Sequence, residues 1–276
     1  MEIIKIFVGC SANGEDAESL AVLEYSLRKY TSQPVDIVWM KLSRDPSSFW
    51  HSNFTNGKFE GINTSMWATP FSGCRWMIPA YCNFEGKAIY MDSDMIILDD
   101  IAKLWNQEFE NGKVVMAKGG EDSWRYCVCL WDCKAAKEYL LSIERLRSIP
   151  EAHQRMMAKF SQNKNIVQPF EGNWNCIDLE GKNINDPDIK IIHYSNMSTQ
   201  VHLKYAKERL KNSNTQHWFD AETFIHPRQD LQELFDKMLE EAINNGYPLS
   251  KYIPNELYGP YNKESQKDYI KGNKWV

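Results

Sequence analysis

Hydrophobic and polar positions change period along the chain, and the changes outline its elements. Ile3 to Val8 is a short apolar run ending in Gly9-Cys10-Ser11, the pattern of a strand feeding a tight loop. After Asp16, the residues Leu20, Leu23, Leu27 and Tyr30 recur at helical spacing. Glu18, Glu24 and Arg28 fill the other faces of that predicted helix. Val35 to Met40 returns to strand. Strand, helix and strand in this order open a doubly wound sheet, where ligands bind beyond the carboxyl ends of the strands. Leu42 to Ser65 is polar and irregular, and a loop of that length is usually functional or mobile. Trp50, Phe54 and Trp67, in or beside it, either stack on a bound ring or pin the loop to the body. Thr69-Pro70 predicts a helix start, with threonine as the cap, Arg75 inside the helix and Pro79 ending or kinking it. Lys134 to Arg147 reads as one charged amphipathic helix, and Glu151 to Phe160 as another with Met156, Met157 and Phe160 inward. Leu231, Leu234, Met238 and Ile243 make the apolar stripe of a helix ending at Gly246.

Within Lys87–Leu98, the run from Ala88 to Met91 has the continuous hydrophobicity of a strand buried on both faces. Asp92 and Asp94 interrupt it before Met95–Leu98 turns apolar again. Burying two carboxylates beside such a strand is costly unless positive charge compensates them. Residues two apart in extended chain point to one side, so both can converge on one ion. Hard oxygen ligands suit Mg²⁺ or Mn²⁺, especially an ion already holding a diphosphate. The alternative is a pair of solvated turn aspartates, which seldom sit between two apolar runs.

Composition narrows the class. A chain of 276 residues, 43% hydrophobic, can bury one large core or two small ones. No linker divides it, so the expected organisation is one α/β domain over residues 1–219 with a helical extension and tail over 220–276. A net charge of −5 argues against a general nucleic-acid binder. The chain enters a strand at Glu2–Ile6 without a signal-peptide pattern, and no apolar run approaches the ~20 residues of a membrane span. Seven cysteines without framework spacing fit a reducing compartment, so a cytoplasmic location is expected. Cys127, Cys129 and Cys133 invite a zinc site, but the spacing is wrong for a knuckle and core positions are expected instead. The tail residues Lys263, Lys267, Lys271, Lys274 and Trp275 read as solvated, with peripheral contact to an anionic membrane as the alternative.

The segment KAIYMDSDMIILDDIAKLW, residues 87–105, resembles the Asp-x-Asp segment of GT-A glycosyltransferases. It is most similar to the retaining family-8 group that includes glycogenin and bacterial lipopolysaccharide galactosyltransferases. The resemblance runs with gaps from the first strand to about Lys211. It implies a GT-A fold, a Rossmann-like mixed α/β sheet. It also implies transfer of a sugar from a nucleotide-diphospho-sugar, UDP-linked in this group, to a glycan, lipid-linked or protein acceptor with retention of configuration. By the same resemblance Asp92, Asp94 and the histidine of "IIHYS", His193, hold the metal, and an imidazole ligand favours Mn²⁺ over Mg²⁺. Ser93 then lies against the donor, Gly9, Cys10 and Ser11 contact the nucleotide, and Arg75 of "FSGCRWMIPAY" reaches the donor. Gln154 lies beneath the anomeric carbon, and Gln168–Asn175 matches a proline-containing stretch that ends in Trp-Asn.

The departures are as specific as the matches. Cys10 or Ser11 stands where the group often has an acidic residue, which loosens the uridine preference. Arg125-Tyr126-Cys127 replaces an Asn-Ser/Ala-Gly that shapes the sugar pocket, so the donor sugar does not carry over. His153 replaces the aspartate before Gln154. The lysine that holds diphosphate is missing from Asn196–His202, leaving Lys204 as the nearest substitute and His202 as a second candidate. Two rivals therefore stand: an inverting transferase with Glu171 or Asp178 as base, and a GT-A-shaped module that binds nucleotide without turnover.

Overall fold

A computed structural model describes residues 2–119, 123–213 and 215–262. Strand β1 (Ile4–Gly9), helix α1 (Ala17–Tyr30) and strand β2 (Val35–Met40) form the predicted opening, with β1 and β2 parallel. The charged face of α1 departs from expectation. Glu18 and Glu24 are 1% and 3% exposed, because later segments cover them with cations. Arg209 meets Glu18 at 2.6 Å, and Lys251 meets Glu24 at 2.8 Å.

Polarity hid a hairpin in the stretch expected to be irregular. Strands β3 (Ser52–Thr55) and β4 (Lys58–Gly61) pair antiparallel around Asn56-Gly57, whose φ values of 54° and 76° give the mirror-image turn that suits strand twist. Trp50 and Trp67 are buried and pin this segment to the body. Trp50 stacks on Tyr81 at 5.6 Å, and Trp67 lies so close over Gly73 that a Cβ there would sit 2.2 Å from the indole. Phe54 alone of the three is exposed, against Phe59.

Thr69-Pro70 does not open an α-helix. Ser72–Met77 is a 3-10 helix without a side-chain cap, and Thr69 Oγ1 is buried without a partner. Pro79 sits in the first turn of α2 (Ile78–Tyr81), where its missing N–H costs nothing, so it begins that helix and does not end one.

Strand β5 (Lys87–Asp92) lies parallel beside β1, on the side opposite β2. After it come β6 (Met95–Ile97), α3 (Ala102–Trp105), β7 (Val115–Gly119) and β8 (Trp124–Asp132). The predicted helix over Lys134–Arg147 is two short ones, α4 (Cys133–Ala136) and α5 (Ile143–Ser148). Tyr139, Leu140 and Leu141 between them, and Ile143 at the start of α5, all pack on the core, and one helical face could not present all four. Helix α6 (Ala152–Gln162) and β9 (Val167–Pro169) follow, completing a six-stranded mixed sheet in the order β2-β1-β5-β8-β7-β9.

A second sheet decides the site. Strands β10 (Cys176–Ile177) and β11 (Ile191–His193) join β6, with His193 opposite Met95 in the antiparallel β6–β11 pair. Helix α7 (Val201–Leu210), helix α8 (Gln229–Asn244) and a 3-10 turn at Leu249–Lys251 follow. Helix α8 buries Leu231, Phe235, Met238, Leu239 and Ala242 in the same core as β1 and α1, whereas Ile243, expected inward, is 46% exposed. Lys263, Lys267, Lys271, Lys274 and Trp275 lie outside the described residues. No helix among the described residues is long and apolar enough to cross a membrane.

Candidate functional site

The main sheet reverses its winding between β1 and β5, which leaves a crevice beyond their carboxyl ends. Gly9 and Asp92 are paired there, each the last residue of its strand. From Asp92 the chain steps across Ser93 and Asp94 into the second sheet. There Tyr194 N–H donates to the Asp94 carbonyl at 3.0 Å. That step brings His193 to Asp94 from about a hundred residues downstream: His193 Nε2 lies 3.3 Å from Asp94 Oδ1. The three line a cleft of about 700 Å³ together with Ser93, Arg75, Arg125 and Cys127.

Each carboxylate is held. Asp92 Oδ1 accepts from Arg75 at 3.2 Å and from the Tyr90 hydroxyl; burial keeps that phenol protonated by pushing its pKa well up. Arg75, 7% exposed, also donates to the Tyr126 carbonyl at 2.6 Å and lies over the Tyr90 ring. Gln200 donates to Asp94 Oδ2 and to the Tyr194 carbonyl, leaving Asp94 Oδ1 buried without a hydrogen-bond partner. His193 Nδ1 faces Asn175 Oδ1 at 2.9 Å. With that oxygen as acceptor, Nδ1 carries the proton and the Nε2 lone pair is directed at the carboxylates. Burial disfavours charge on His193, but Asp94, with Asp92 and Asp178 behind it, more than offsets this and raises its pKa. An orphaned carboxylate oxygen and an oriented imidazole facing two anions fit a divalent cation held by Asp92, Asp94 and His193.

The other expected site residues fall differently. Gly9, Cys10 and Ser11 do not line the cleft; they are buried, and the C-terminal segment covers the loop that they begin. Tyr261 Oη accepts from Ala12 N–H at 2.7 Å, and Gly259 exchanges two hydrogen bonds with the Asn13 side chain. Lys204 is exposed, with its ammonium over the Tyr205 ring, and is absent from the lining; His202 is present and buried. Gln154 turns from the cleft and donates to the Met66 carbonyl. Its neighbour His153 faces inward instead. There His153 Nδ1 accepts from Trp76 Nε1 at 2.9 Å, and burial followed by Arg75 lowers its pKa to about 3. His153 is therefore a neutral ring whose Nε2 carries the hydrogen. Glu171 and Asp178 are both outside the lining, and Asp178 is fully buried against His226 at 3.1 Å.

Sequence reasoning missed Asn175 and Gln200 as partners of His193 and Asp94, because nothing local in the sequence marks an amide for that role. It also missed a buried group of Asp16, His202 and His217 at the far wall. Asp16 accepts from Ser11 N–H and Trp218 Nε1 and faces His217 Nε2 at 3.4 Å. Burial alone would raise the Asp16 pKa, yet His217, His202 and the Ser11 amide hold it well below the carboxylate range. His217 Nδ1 accepts from Phe219 N–H at 3.0 Å, so its proton sits on Nε2, towards Asp16. That tautomer turns the His217 N–H towards Asp16 and leaves His217 no lone pair for an ion.

Solved structures with the same arrangement of sheets are glycosyltransferases. GlyE of Streptococcus pneumoniae TIGR4 superposes with a TM-score of 0.53 at 14% identity, over 95% of this chain and 68% of that one. The galactosyltransferase LgtC, solved in complex with donor and acceptor sugar analogues, gives 0.50 at 12% identity over 94% of this chain and 98% of its own. The bifunctional glycosyltransferase WbbM gives 0.52 at 15% identity. The chain has the GT-A fold. It covers 91% of itself against WbbM but spans only about half, 51%, of the WbbM chain. No protein-family profile matches the sequence, and no curated protein matches it in sequence. Within the GT-A fold, the Asp92–His193 cluster sits at the strand ends where the topology leaves its crevice.

Proposed function

We propose that the chain is a metal-dependent glycosyltransferase that moves a sugar from a nucleotide-diphospho-sugar to an acceptor hydroxyl with retention of configuration. One observation carries the reading: Asp92, Asp94 and His193 line the GT-A cleft together, with His193 Nε2 3.3 Å from an Asp94 oxygen that has no hydrogen-bond partner. Mn²⁺ or Mg²⁺ there would supply Lewis-acid stabilisation of the diphosphate leaving group. Arg75 compensates Asp92, and Arg125 on the same lining offers a guanidinium to the donor's anionic end. His153 Nε2 offers a neutral donor to a sugar hydroxyl, a role better supported from α6 than one for Gln154.

Asp16, Asp92 and Asp94 are the carboxylates on the lining among the described residues, and all three are engaged by partners. With Asp16 and Asp92 engaged by protein partners and the free oxygen of Asp94 assigned to the ion, no lining carboxylate is left to attack the anomeric carbon or to deprotonate an acceptor from the opposite side, and same-face substitution is favoured. In it the departing phosphate oxygen takes the acceptor proton. The inverting rival loses support, since neither Glu171 nor Asp178 reaches the cleft. A thermal-shift screen of UDP-sugars with and without Mn²⁺, followed by a donor-hydrolysis assay on each stabilising ligand, tests the reading. Stabilisation that needs the metal, with slow release of free sugar, is expected; equal stabilisation in EDTA would sink the metal role.

A further inference from the structure

Cys127 departs from the behaviour of the two cysteines that follow it on the chain. Cys129 and Cys133 are fully buried, as core thiols are, while Cys127 is only partly buried and lines the cleft. Its place follows from sheet register. β5 and β8 pair antiparallel, with Tyr90 opposite Cys129 and Met91 opposite Val128. One more step in that register sets Asp92 across from Cys127, and cross-strand partners project to the same face. Ligand atoms of Asp92, Cys127 and His193 accordingly lie within 4.8 Å of one another, a spread that small side-chain adjustments close around one ion. Arg75 fixes both strand ends at once, through Asp92 and the Tyr126 carbonyl next to Cys127.

We propose that Cys127 is a ligand of the metal centre, making it a mixed oxygen, nitrogen and sulfur site that takes a borderline-soft divalent ion of the Zn²⁺ or Co²⁺ class in preference to Mg²⁺. The inference rests on the metal reading of Asp92, Asp94 and His193 given above. Thiolate sulfur selects softer ions, whereas carboxylate and water alone select hard ones. Binding exchanges the thiol proton for the ion: one S–H bond is lost, one metal–sulfur bond forms and a proton leaves to solvent, with no change in oxidation state.

Cobalt supplies a readout independent of turnover. Co²⁺ added to the full-length protein under reducing conditions should give visible ligand-field bands together with a near-ultraviolet thiolate-to-cobalt charge-transfer band. Cys127→Ser should remove the charge-transfer band and weaken Zn²⁺ by more than the about ten- to a hundredfold that loss of an outer-shell partner alone costs. Mn²⁺ should weaken less, and the Tm measured in EDTA should be unchanged. Cys127→Ala repeats the test without a hydroxyl, and Cys82→Ser, outside the cleft lining, should keep the band. Ligand-field bands without the charge-transfer band in the wild-type protein would overturn the role of Cys127 and leave the metal reading standing. Absence of Co²⁺, Zn²⁺ and Mn²⁺ binding together would overturn both.

Discussion

At the Asp92–His193 end, anionic and cationic groups meet on the cleft lining and one carboxylate oxygen is left without a hydrogen bond. At the Gly9–Ser11 end, the corresponding loop is closed over. Residues 252–262 lie across it, with Tyr261 on Ala12, Gly259 on Asn13 and the Ile253 backbone within 2.8 Å of where a Gly14 Cβ would be. Arg44 clamps the same segment through the Tyr258 and Pro260 carbonyls. The two ends sit on neighbouring parallel strands of one sheet. They differ because the first is built to keep charge available, whereas the second spends its polar groups on the protein itself. A ligand-binding end tolerates an unsatisfied atom because a ligand will satisfy it; a structural end cannot.

The largest effect should come from the open end. Asp94→Ala should cut transfer by about a hundred- to a thousandfold, the scale for losing one preorganised electrostatic contact. At alkaline pH, where His193 is neutral, it should leave the Tm in EDTA nearly unchanged, and a Tm that falls with activity there would erase the contrast between the ends. Arg75→Ala comes next. It leaves the partly buried Asp92 without its cation and the Tyr126 carbonyl without its donor, so we expect a loss of about 3 kcal/mol in urea unfolding as well as weaker donor binding. Tyr261→Ala probes the closed end. Removal of its ring and hydroxyl should cost on the order of 1–3 kcal/mol, because a buried Ala12 N–H loses its acceptor. Metal affinity measured by calorimetry should not move. Gln154→Ala should change kcat and KM less than about threefold, since its amide serves the Met66 carbonyl; a large drop in kcat alone would return Gln154 to the reaction.

Two histidines give a pH test with opposite signs. His153 has its pKa lowered to about 3 from 6.5, so the unfolded chain binds its proton first on acidification. Its contribution is present above pH 6.5 and lost as pH falls towards 3. His193, raised above 6.5, contributes stability in the metal-free protein that is present below 6.5 and lost as pH rises through its folded value. Urea midpoints in EDTA across this range should flatten on the acid side in His153→Gln and on the alkaline side in His193→Asn. Matching slopes in both variants and wild type would remove the electrostatic distinction between them.

The sequence by itself determined the doubly buried strand from Ala88 to Met91, the opening strand–helix–strand unit and the carboxylate pair at a strand end. These are local: apolar period and burial are set by neighbours in the chain, and Asp92 and Asp94 are two residues apart. The family resemblance singled out His193, but only the antiparallel β6–β11 pair brings it to 3.3 Å from Asp94. The Asn56-Gly57 hairpin was also legible in principle, since that dipeptide favours the turn it forms; its polar strands concealed it. Tertiary structure alone decided the rest. It buried Glu18 and Glu24, because Arg209 and Lys251 return from the far end of the chain to neutralise them. It turned His153 inward and Gln154 away, a choice made by Trp76 and Met66 and not by either residue's own chemistry. It brought ligand atoms of Asp92, Cys127 and His193 within 4.8 Å of one another, and it covered the Gly9–Ser11 loop with residues some 250 positions downstream. Helical and strand periods record which face of an element avoids water, but they carry no record of which distant side chain will meet that face.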